Sequence, residues 1–368
     1  MNKFLLVLSC LICNYAFAQL NGTGFYRVVN VADSRYIYVS DNTGDPDPKA
    51  PDMGAVQLIK GLDKAVSNPS TVLYFSQING NEYDIKAQGT SVKQIIGHTP
   101  SIYYSSRADA YQVYATVSGA TVYLGSEDDP YYANKEVSML SIGAKGNYNL
   151  WKVCPITEEG DNYFGIKPTI EIDGKYYQPF YADFAFSFFS EGMKAYYIKD
   201  ISGIAAHLVP IEDEIIPAST PVIIECSSSE PDKNRLKLHA SGGKSISDNK
   251  LKGVYFNNPL RIYSKDAVTK FDQNTMRVLG KTSDGKLGFV LSTAKNLAAN
   301  QAYLSVASGS EETIYAMNSN DFASLDGVFG DADNVKNVYS IIGTRCEGSF
   351  EELPAGIYIV NGKKVIKK

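Results

Sequence analysis

The sequence predicts an all-β protein. Tyrosine and phenylalanine are enriched, with 26 and 16 copies in 368 residues, and aromatic residues favour strands over helices. Short apolar runs recur along the chain, and clusters of glycine, asparagine, aspartate and proline separate them, as turns separate strands. These runs show no helical periodicity. A chain of this length is expected to form two or three domains.

The first 18 residues predict a cleaved Sec signal peptide. Lys3 gives a basic start, and residues 4–13 form an apolar stretch of about ten residues, too short to span a bilayer. Ala16 and Ala18 then match the small-x-small pattern of a cleavage site. We therefore expect cleavage after Ala18 and a location outside the cell or on the outer-membrane surface. An uncleaved N-terminal anchor is the alternative. No second long apolar run follows, so we expect no transmembrane segment after cleavage.

Residues 19–156 contain a strand–turn–strand pattern that occurs three times. One hairpin cannot bury an apolar face alone, whereas three around a pseudo-threefold axis can share a core. This predicts a β-trefoil-like domain. Between the first two copies, we expect one short helix at residues 55–64. The three predicted hairpins cover residues 25–29 with 36–39, 83–87 with 93–96, and 111–115 with 121–124.

The opening of this region, GFYRVVNVADSRYIYVSDN at residues 24–42, resembles the ricin-type β-trefoil modules of secreted Bacteroidetes proteins. The resemblance implies carbohydrate binding. Where the sugar-binding members carry Gln-x-Trp, this chain reads Leu-Tyr-Phe at residues 73–75 and Leu-Trp at residues 150–151. Exposed tyrosine rings can stack on sugars, and partly buried rim positions are the alternative. The expected carbohydrate-binding residues are Asp33, Tyr36, Tyr38, Tyr103 and Tyr123.

Residues 157–318 are predicted to form a central antiparallel β-sandwich, because many short strand candidates alternate with turn residues. The segments YADFAFSFFSEGMKAYYI, IIPASTPVII, MRVLGKTSDGKLGFVL and LAANQAYL together resemble a domain that recurs in Bacteroidetes surface and secreted proteins, with no defined activity. The predicted strands are residues 176–182, 184–188, 194–198, 206–211, 222–226, 236–240, 253–256, 275–279, 288–291, 302–305 and 313–316.

The end of the chain predicts a linker followed by a short β-hairpin tail. Residues 319–334 are polar and acidic and indicate a linker. In residues 335–368, Asn361-Gly362 favours a type I′ turn between two strands. The stretch VYSIIGTRCEGSFEELPAGIYIVNGKKVIKK resembles the C-terminal sorting tails of type IX secretion, which implies a contact with that export machinery through residues 335–368. Alternatively, the hairpin only closes a small sheet.

Few residues in the sequence suggest catalysis or metal binding. The net charge of −5 opposes nucleic acid binding, which needs concentrated lysine and arginine. The three histidines lack ligand spacing, no CxxC occurs after the predicted signal peptide, and no GxSxG motif occurs. We therefore expect no metal and no cofactor. The acidic run at residues 212–214 is expected to be a solvated turn. The histidines and mature cysteines are His98, His207, His239, Cys154, Cys226 and Cys346.

Together, these observations favour a secreted or cell-surface, non-enzymatic binding protein, with a polysaccharide or a host surface protein as its partner. A structural adhesin or scaffold of the cell surface is one alternative. An uncharacterised hydrolase is another, with His207, Cys226 or the acids at residues 212–214 as its candidates. The sequence does not choose a cysteine pair for a disulfide, and it does not identify the ligand.

Overall fold

The computed structural model confirms the all-β class: 48% of it is strand and 7% helix. The residues that it describes are 22–39, 56–79, 82–87, 90–91, 100–105, 110–115, 131–133, 140–142, 151–254, 269–322, 338–340, 344–346, 353–354, 356–360 and 363–367.

The N-terminal unit is built on a closed ring of six antiparallel strands. In order around the ring these are β1, β4, β5, β7, β8 and β11, and β11 pairs back to β1. Strands β2 and β3 pair with each other beside the ring, and β9 pairs with β10. A closed six-stranded ring is compatible with the predicted trefoil-like domain, but the predicted return strands at residues 93–96 and 121–124 lie outside the described residues, so the trefoil stays a prediction. The strands are β1 Gly24–Asn30, β2 Arg35–Val39, β3 Val56–Lys60, β4 Leu73–Asn79, β5 Glu82–Ala87, β6 Thr90–Ser91, β7 Pro100–Ser105, β8 Ala110–Ala115, β9 Tyr131–Ala133, β10 Leu140–Ile142 and β11 Trp151–Pro155.

The prediction of a helix at residues 55–64 was wrong over most of that range. Strand β3 occupies Val56–Lys60 and pairs with every residue of β2. The helix α1 covers only Leu62–Ala65, and a 3₁₀ turn follows at Pro69–Thr71. The backbone pairing available from β2 therefore outweighed the weak local preference for helix in these residues.

The central unit contains a small sheet packed against a larger one. The small sheet has the order β12–β19–β15, and the large sheet has the order β13–β14–β18–β16–β17–β24–β22–β21–β23–β20. The bounds are β12 Phe164–Gly165, β13 Ile170–Ile172, β14 Lys175–Phe180, β15 Ala185–Phe188, β16 Lys194–Ser202, β17 Ala205–Pro210, β18 Val222–Cys226, β19 Arg235–His239, β20 Leu251–Val254, β21 Met276–Lys281, β22 Leu287–Val290, β23 Gln301–Ser305 and β24 Ile314–Met317, with a 3₁₀ turn at Pro231–Lys233.

Alternating side chains of the large sheet serve two cores. Val222 and Ile224 of β18 face a cluster shared with the small sheet, whereas Ile223 faces a second cluster enclosed by the large sheet itself. Neighbouring residues of a strand point to opposite faces, so one strand can contribute to both. One pair, β17 with β24, is parallel, and it aligns His207 with Met317. This pair differs from the antiparallel pattern expected throughout.

The two units are joined by a buried junction. Val72 belongs to the same apolar cluster as Phe164 and Phe184 of the central unit, and Phe25 of β1 packs against that cluster. The ring centroids of Phe25 and Phe184 are 6.0 Å apart. The backbone N–H of Gly165 donates to Val66 O at 2.9 Å. The boundary predicted near residue 157 therefore lies beside a shared core.

Arg27 stabilises the same junction. Its side chain is fully buried, donating from Nε to Thr71 Oγ1 at 2.9 Å and from Nη1 to Asn162 Oδ1 at 2.7 Å and Tyr163 O at 2.8 Å. Burial lowers the pKa of Arg27 to about 10, since desolvation disfavours the charged form. Asn162 in turn donates to the backbone of β11 at Cys154 O and Pro155 O.

The C-terminal segment forms a three-stranded sheet of β25 Val338–Ser340, β26 Gly356–Val360 and β27 Lys363–Lys367. Val360 pairs with Lys363, the register that a two-residue connection requires. Tyr358 donates from its hydroxyl to Pro354 O at 2.8 Å. The predicted strand pair of the tail is thus present, and its role in export stays a prediction.

Candidate functional site

Four of the five residues predicted to bind carbohydrate lie in the described part of the chain: Asp33, Tyr36, Tyr38 and Tyr103. Asp33 accepts from the backbone N–H of Arg35 at 3.1 Å and from Arg35 Nε at 2.7 Å, so its carboxylate holds the β1–β2 turn. Tyr103 lies in β7, with Gln112 opposite. Tyr123 lies outside the described residues.

Tyr36 and Tyr38 lie on one face of β2, and both are half-buried. Burial raises the pKa of Tyr36, and Cys154 and Arg27 interact with it electrostatically. Tyr36 is therefore close to the buried junction rather than part of a fully exposed aromatic surface. Sugar contact by these tyrosines and by Asp33 stays a prediction.

An open groove of about 670 Å³ lies on the central unit. It is formed at the ends of β15, β16 and β17 and by the segment that follows β24. Because β17 and β24 are parallel, the segments that follow them leave the sheet at the same edge. Those segments form facing parts of the groove wall. The lining residues are Ser187, Phe188, Met193, Lys194, Ala195, Tyr196, Leu208, Pro210, Ile211, Glu212, Asp213, Glu214, Asn318, Ser319 and Asn320.

The groove combines apolar and polar surface. Phe188 and Tyr196 both line it. The Tyr196 ring packs against the second cluster of the large sheet, and Tyr196 Oη donates to Glu225 Oε2 at 3.1 Å, which fixes the ring. Burial and the nearby Glu225 carboxylate raise the pKa of Tyr196 well above its ordinary value, so the hydroxyl remains a donor at neutral pH. Asp213 pairs with Lys244 at 3.3 Å, and Glu212 and Glu214 are exposed.

The acids at residues 212–214 follow β17 at one wall of the groove. They were predicted to be a solvated turn, and their exposure agrees with that description. Their position beside a groove was not expected from sequence, because it depends on the parallel pairing of β17 with a strand more than a hundred residues later. The opposite wall, Asn318–Asn320, begins one residue before the segment predicted as a linker and continues into it.

His207 connects β17 to that opposite wall. Its Nε2 lies 3.0 Å from Ser319 Oγ, and its ring stacks on Phe322 with centroids 4.6 Å apart and planes 10° apart. Its Nδ1 lies 4.0 Å from Asp200 Oδ2. Phe322 is buried and Ser319 is exposed. Ser319 and Phe322, within the first four residues of the predicted linker, therefore contact the central unit.

A second serine–histidine pair joins β15 to β19. Ser187 Oγ lies 2.9 Å from His239 Nε2, and Ser187 is only 5% exposed. Ser187 also lines the groove, but its hydroxyl is too deeply buried for easy access by a substrate, so we assign this pair a structural role between the two strands.

The other predicted candidates do not assemble into a site. Cys226 is buried, and burial raises its pKa to about 12, which disfavours the nucleophilic thiolate. Cys154, Cys226 and Cys346 are free thiols. Within the described ranges, no group of three or more histidine, cysteine or acidic side chains is arranged to hold a metal ion. In the same part of the chain, no helix is long and apolar enough to cross a membrane.

The features that sequence reasoning missed are Asp200, Ser319 and the position of Phe188 in the groove. One local signal was available for Ser319. Asn318 precedes it and accepts from the backbone N–H groups of Asn320 and Asp321 at 3.0 Å, as asparagine does at a helix start. That signal predicts a turn and says nothing about His207. No protein-family model matches this chain, and no curated protein matches its sequence.

Proposed function

We propose that this is a secreted or cell-surface protein that binds an extended glycan in the groove at the ends of β15, β16 and β17. The observation that carries the proposal is the lining of the groove, where aromatic rings lie beside carboxylate and amide groups. Its volume of about 670 Å³ is in the range of ligand-binding clefts. The groove is also open, which suits a polymer better than a small enclosed ligand.

The chemistry of the lining supports a sugar. Sugar rings present apolar C–H faces, which stack on aromatic side chains such as Phe188. Sugar hydroxyls donate to carboxylates such as Glu212 and Glu214 and exchange hydrogen bonds with amides such as Asn320. Hydrogen bonds to charged acceptors are the stronger ones.

Localisation and export belong to the same proposal. The signal-peptide pattern at residues 1–18, the ricin-type resemblance near the N-terminus and the sorting-tail resemblance at residues 335–368 support delivery to the cell exterior in a Bacteroidetes organism. A host surface protein remains the second partner class, because the trefoil-like unit and the groove together offer a large surface.

The test uses the full mature chain, because Phe25 and Val72 pack into the core of the central unit and a truncated N-terminal unit would expose them. The groove variant is Glu212→Gln with Glu214→Gln, which keeps size and removes charge. The matched control is Glu311→Gln with Glu312→Gln, a second pair of exposed acids outside the groove.

Affinity electrophoresis through a panel of soluble plant and microbial polysaccharides, followed by calorimetry on the retaining one, measures binding. We expect the groove variant to lose roughly tenfold in affinity, about 1.4 kcal/mol, with the control unchanged. Retention that both variants preserve, and that Tyr38→Ser abolishes, would move the site to the trefoil-like unit. No retention by any polysaccharide would refute glycan binding.

A further inference from the structure

We infer that Ser319 and His207 give the groove an acyl-transfer activity, with an O-acyl ester as the substrate class. Ser319 lines the groove and is exposed, and its Oγ lies 3.0 Å from His207 Nε2. A serine hydroxyl in hydrogen-bond reach of an imidazole is the nucleophile–base pair of acyl transfer. This inference departs from the non-enzymatic role expected from sequence.

The imidazole is held in place by its surroundings. The side chain of His207 is 17% exposed, and the near-parallel stack on Phe322 fixes its ring plane. Hence Nε2 faces the exposed hydroxyl while the rest of the ring is covered. A base that is already oriented does not have to lose rotational freedom during the reaction.

Asp200 is a positioning residue in this arrangement. The register of β16 against β17 shifts between Ile198 and Ile201, so Asp200 lies in a bulge, a feature that redirects side chains and is frequent beside active sites. Its Oδ2 lies 4.0 Å from His207 Nδ1. That distance exceeds a hydrogen bond, and such contacts often tighten only when substrate is bound.

The reaction balances with these groups and water alone. With the proton of His207 on Nδ1, Nε2 accepts the proton of Ser319 as Oγ bonds to the ester carbonyl carbon. The bond from that carbon to the alcohol oxygen then breaks, and His207 returns the proton to the leaving alcohol. Water attacks the acyl-serine with its proton passing to Nε2, and the carboxylic acid leaves as Ser319 regains its hydrogen.

The turn around Ser319 limits the expected rate. The backbone N–H groups of Asn320 and Asp321 already donate to Asn318 Oδ1 at 3.0 Å, so they are not open to stabilise an oxyanion. Loss of one such donor costs about 10²–10³ in kcat in known hydrolases. We therefore expect slow acylation and slow deacylation, with an acyl-serine that accumulates only from activated esters, whose good leaving group speeds acylation.

The natural substrate is inferred from the ligand that the groove binds, and this part rests on the proposed function. If the groove binds a glycan, the ester presented to Ser319 is an O-acyl group on a sugar hydroxyl. Acetylated xylan is the polymeric probe, and 4-nitrophenyl acetate tests the chemistry without any need for glycan binding.

The experiment compares the full chain with Ser319→Ala, His207→Gln and His239→Gln. The last is the control for the second pair, because it alters the histidine bonded to Ser187, which lines the groove but is only 5% exposed. We expect Ser319→Ala and His207→Gln to lower the rate with 4-nitrophenyl acetate by on the order of 10²-fold, the lower range for acid–base catalysis. The control should keep its rate. A fluorophosphonate reagent should label Ser319, located by peptide mass spectrometry, and Asp200→Asn should slow that labelling without moving it to another residue.

The outcomes separate the two proposals. Ester hydrolysis and Ser319 labelling without retention by any polysaccharide would support this inference and refute the proposed function. Polysaccharide binding with no labelling of Ser319, and with equal ester rates in all four proteins, would refute the inference and leave the proposed function standing. Binding that survives Ser319→Ala while release of acetate from xylan stops would support both.

Discussion

Gly165 is a position where one added methyl group should be costly. A Cβ built on Gly165 would lie 2.1 Å from Pro231 O and 2.9 Å from Pro231 C. Heavy atoms in ordinary non-bonded contact are about 3.4 Å or more apart. The backbone of either Gly165 or Pro231 must therefore move by more than about an ångström. The obstacle is main chain, which cannot swing aside as a flexible side chain does.

The cost of Gly165→Ala can be worked from the contacts. Overpacking of this kind costs about 1–3 kcal/mol. Pro231 O also accepts from the backbone N–H of Asn234 at 3.1 Å, and disturbing that bond adds about 1 kcal/mol. We expect a loss of about 2–4 kcal/mol in the free energy of unfolding.

Urea denaturation followed by Trp151 fluorescence measures this loss. Trp151 is the single tryptophan of the chain and is 1% exposed, so its emission reports unfolding. The matched control is Gly24→Ala, where a Cβ would first meet the Tyr26 ring at 3.4 Å, an ordinary contact. If both variants unfold at the same urea concentration as the parent chain, the close approach at Gly165 is refuted.

Two further predictions concern buried groups. Asn234→Ala should cost about 2–4 kcal/mol in thermal or urea unfolding. The two N–H groups of Asn234 Nδ2 are shared among Ile166 O, Ser228 O and Glu230 O, and loss of the partner of the buried Ile166 O costs about 1–3 kcal/mol, with about 1 kcal/mol for the part-buried bond. An unchanged midpoint would contradict this role. Burial raises the pKa of Cys226 from 9.0 to about 12, so iodoacetamide at pH 8 should modify it only after unfolding. Above about pH 9 the Cys226 thiol ionises in the unfolded chain before it does so in the folded chain, so the free energy of unfolding should fall as the pH rises. Cys226→Ala should abolish this fall in a pH series of unfolding midpoints.

Strands were predictable from sequence where local pattern and pairing agreed. Strand β18 was predicted at residues 222–226 and lies at Val222–Cys226, because an apolar run between two turns fits a buried strand. Strand β16 was predicted to end at residue 198 and continues to Ser202. The bulge in β16 interrupts the alternation of side chains from which we predicted the end of the strand, so the predicted strand is shorter than the observed one.

The candidate site was not predictable, because its parts are distant in sequence. His207 and Ser319 are 112 positions apart, and only the parallel alignment of β17 with β24 brings them together. Nothing near Ser319 marks it as reactive. Similarly, Arg27 lies in an ordinary strand pattern, and its full burial depends on Thr71 and Asn162, which come from other segments.

The apolar cluster at the junction has a consequence for thermodynamic coupling. It runs from Val72 in the N-terminal unit to Met193 and Ala195, which also line the groove. A ligand that binds only the folded groove raises the unfolding free energy of everything that unfolds with it. Occupancy of the groove should therefore delay the denaturation signal of Trp151, on the far side of the junction, so that one tryptophan can report a binding event it does not touch.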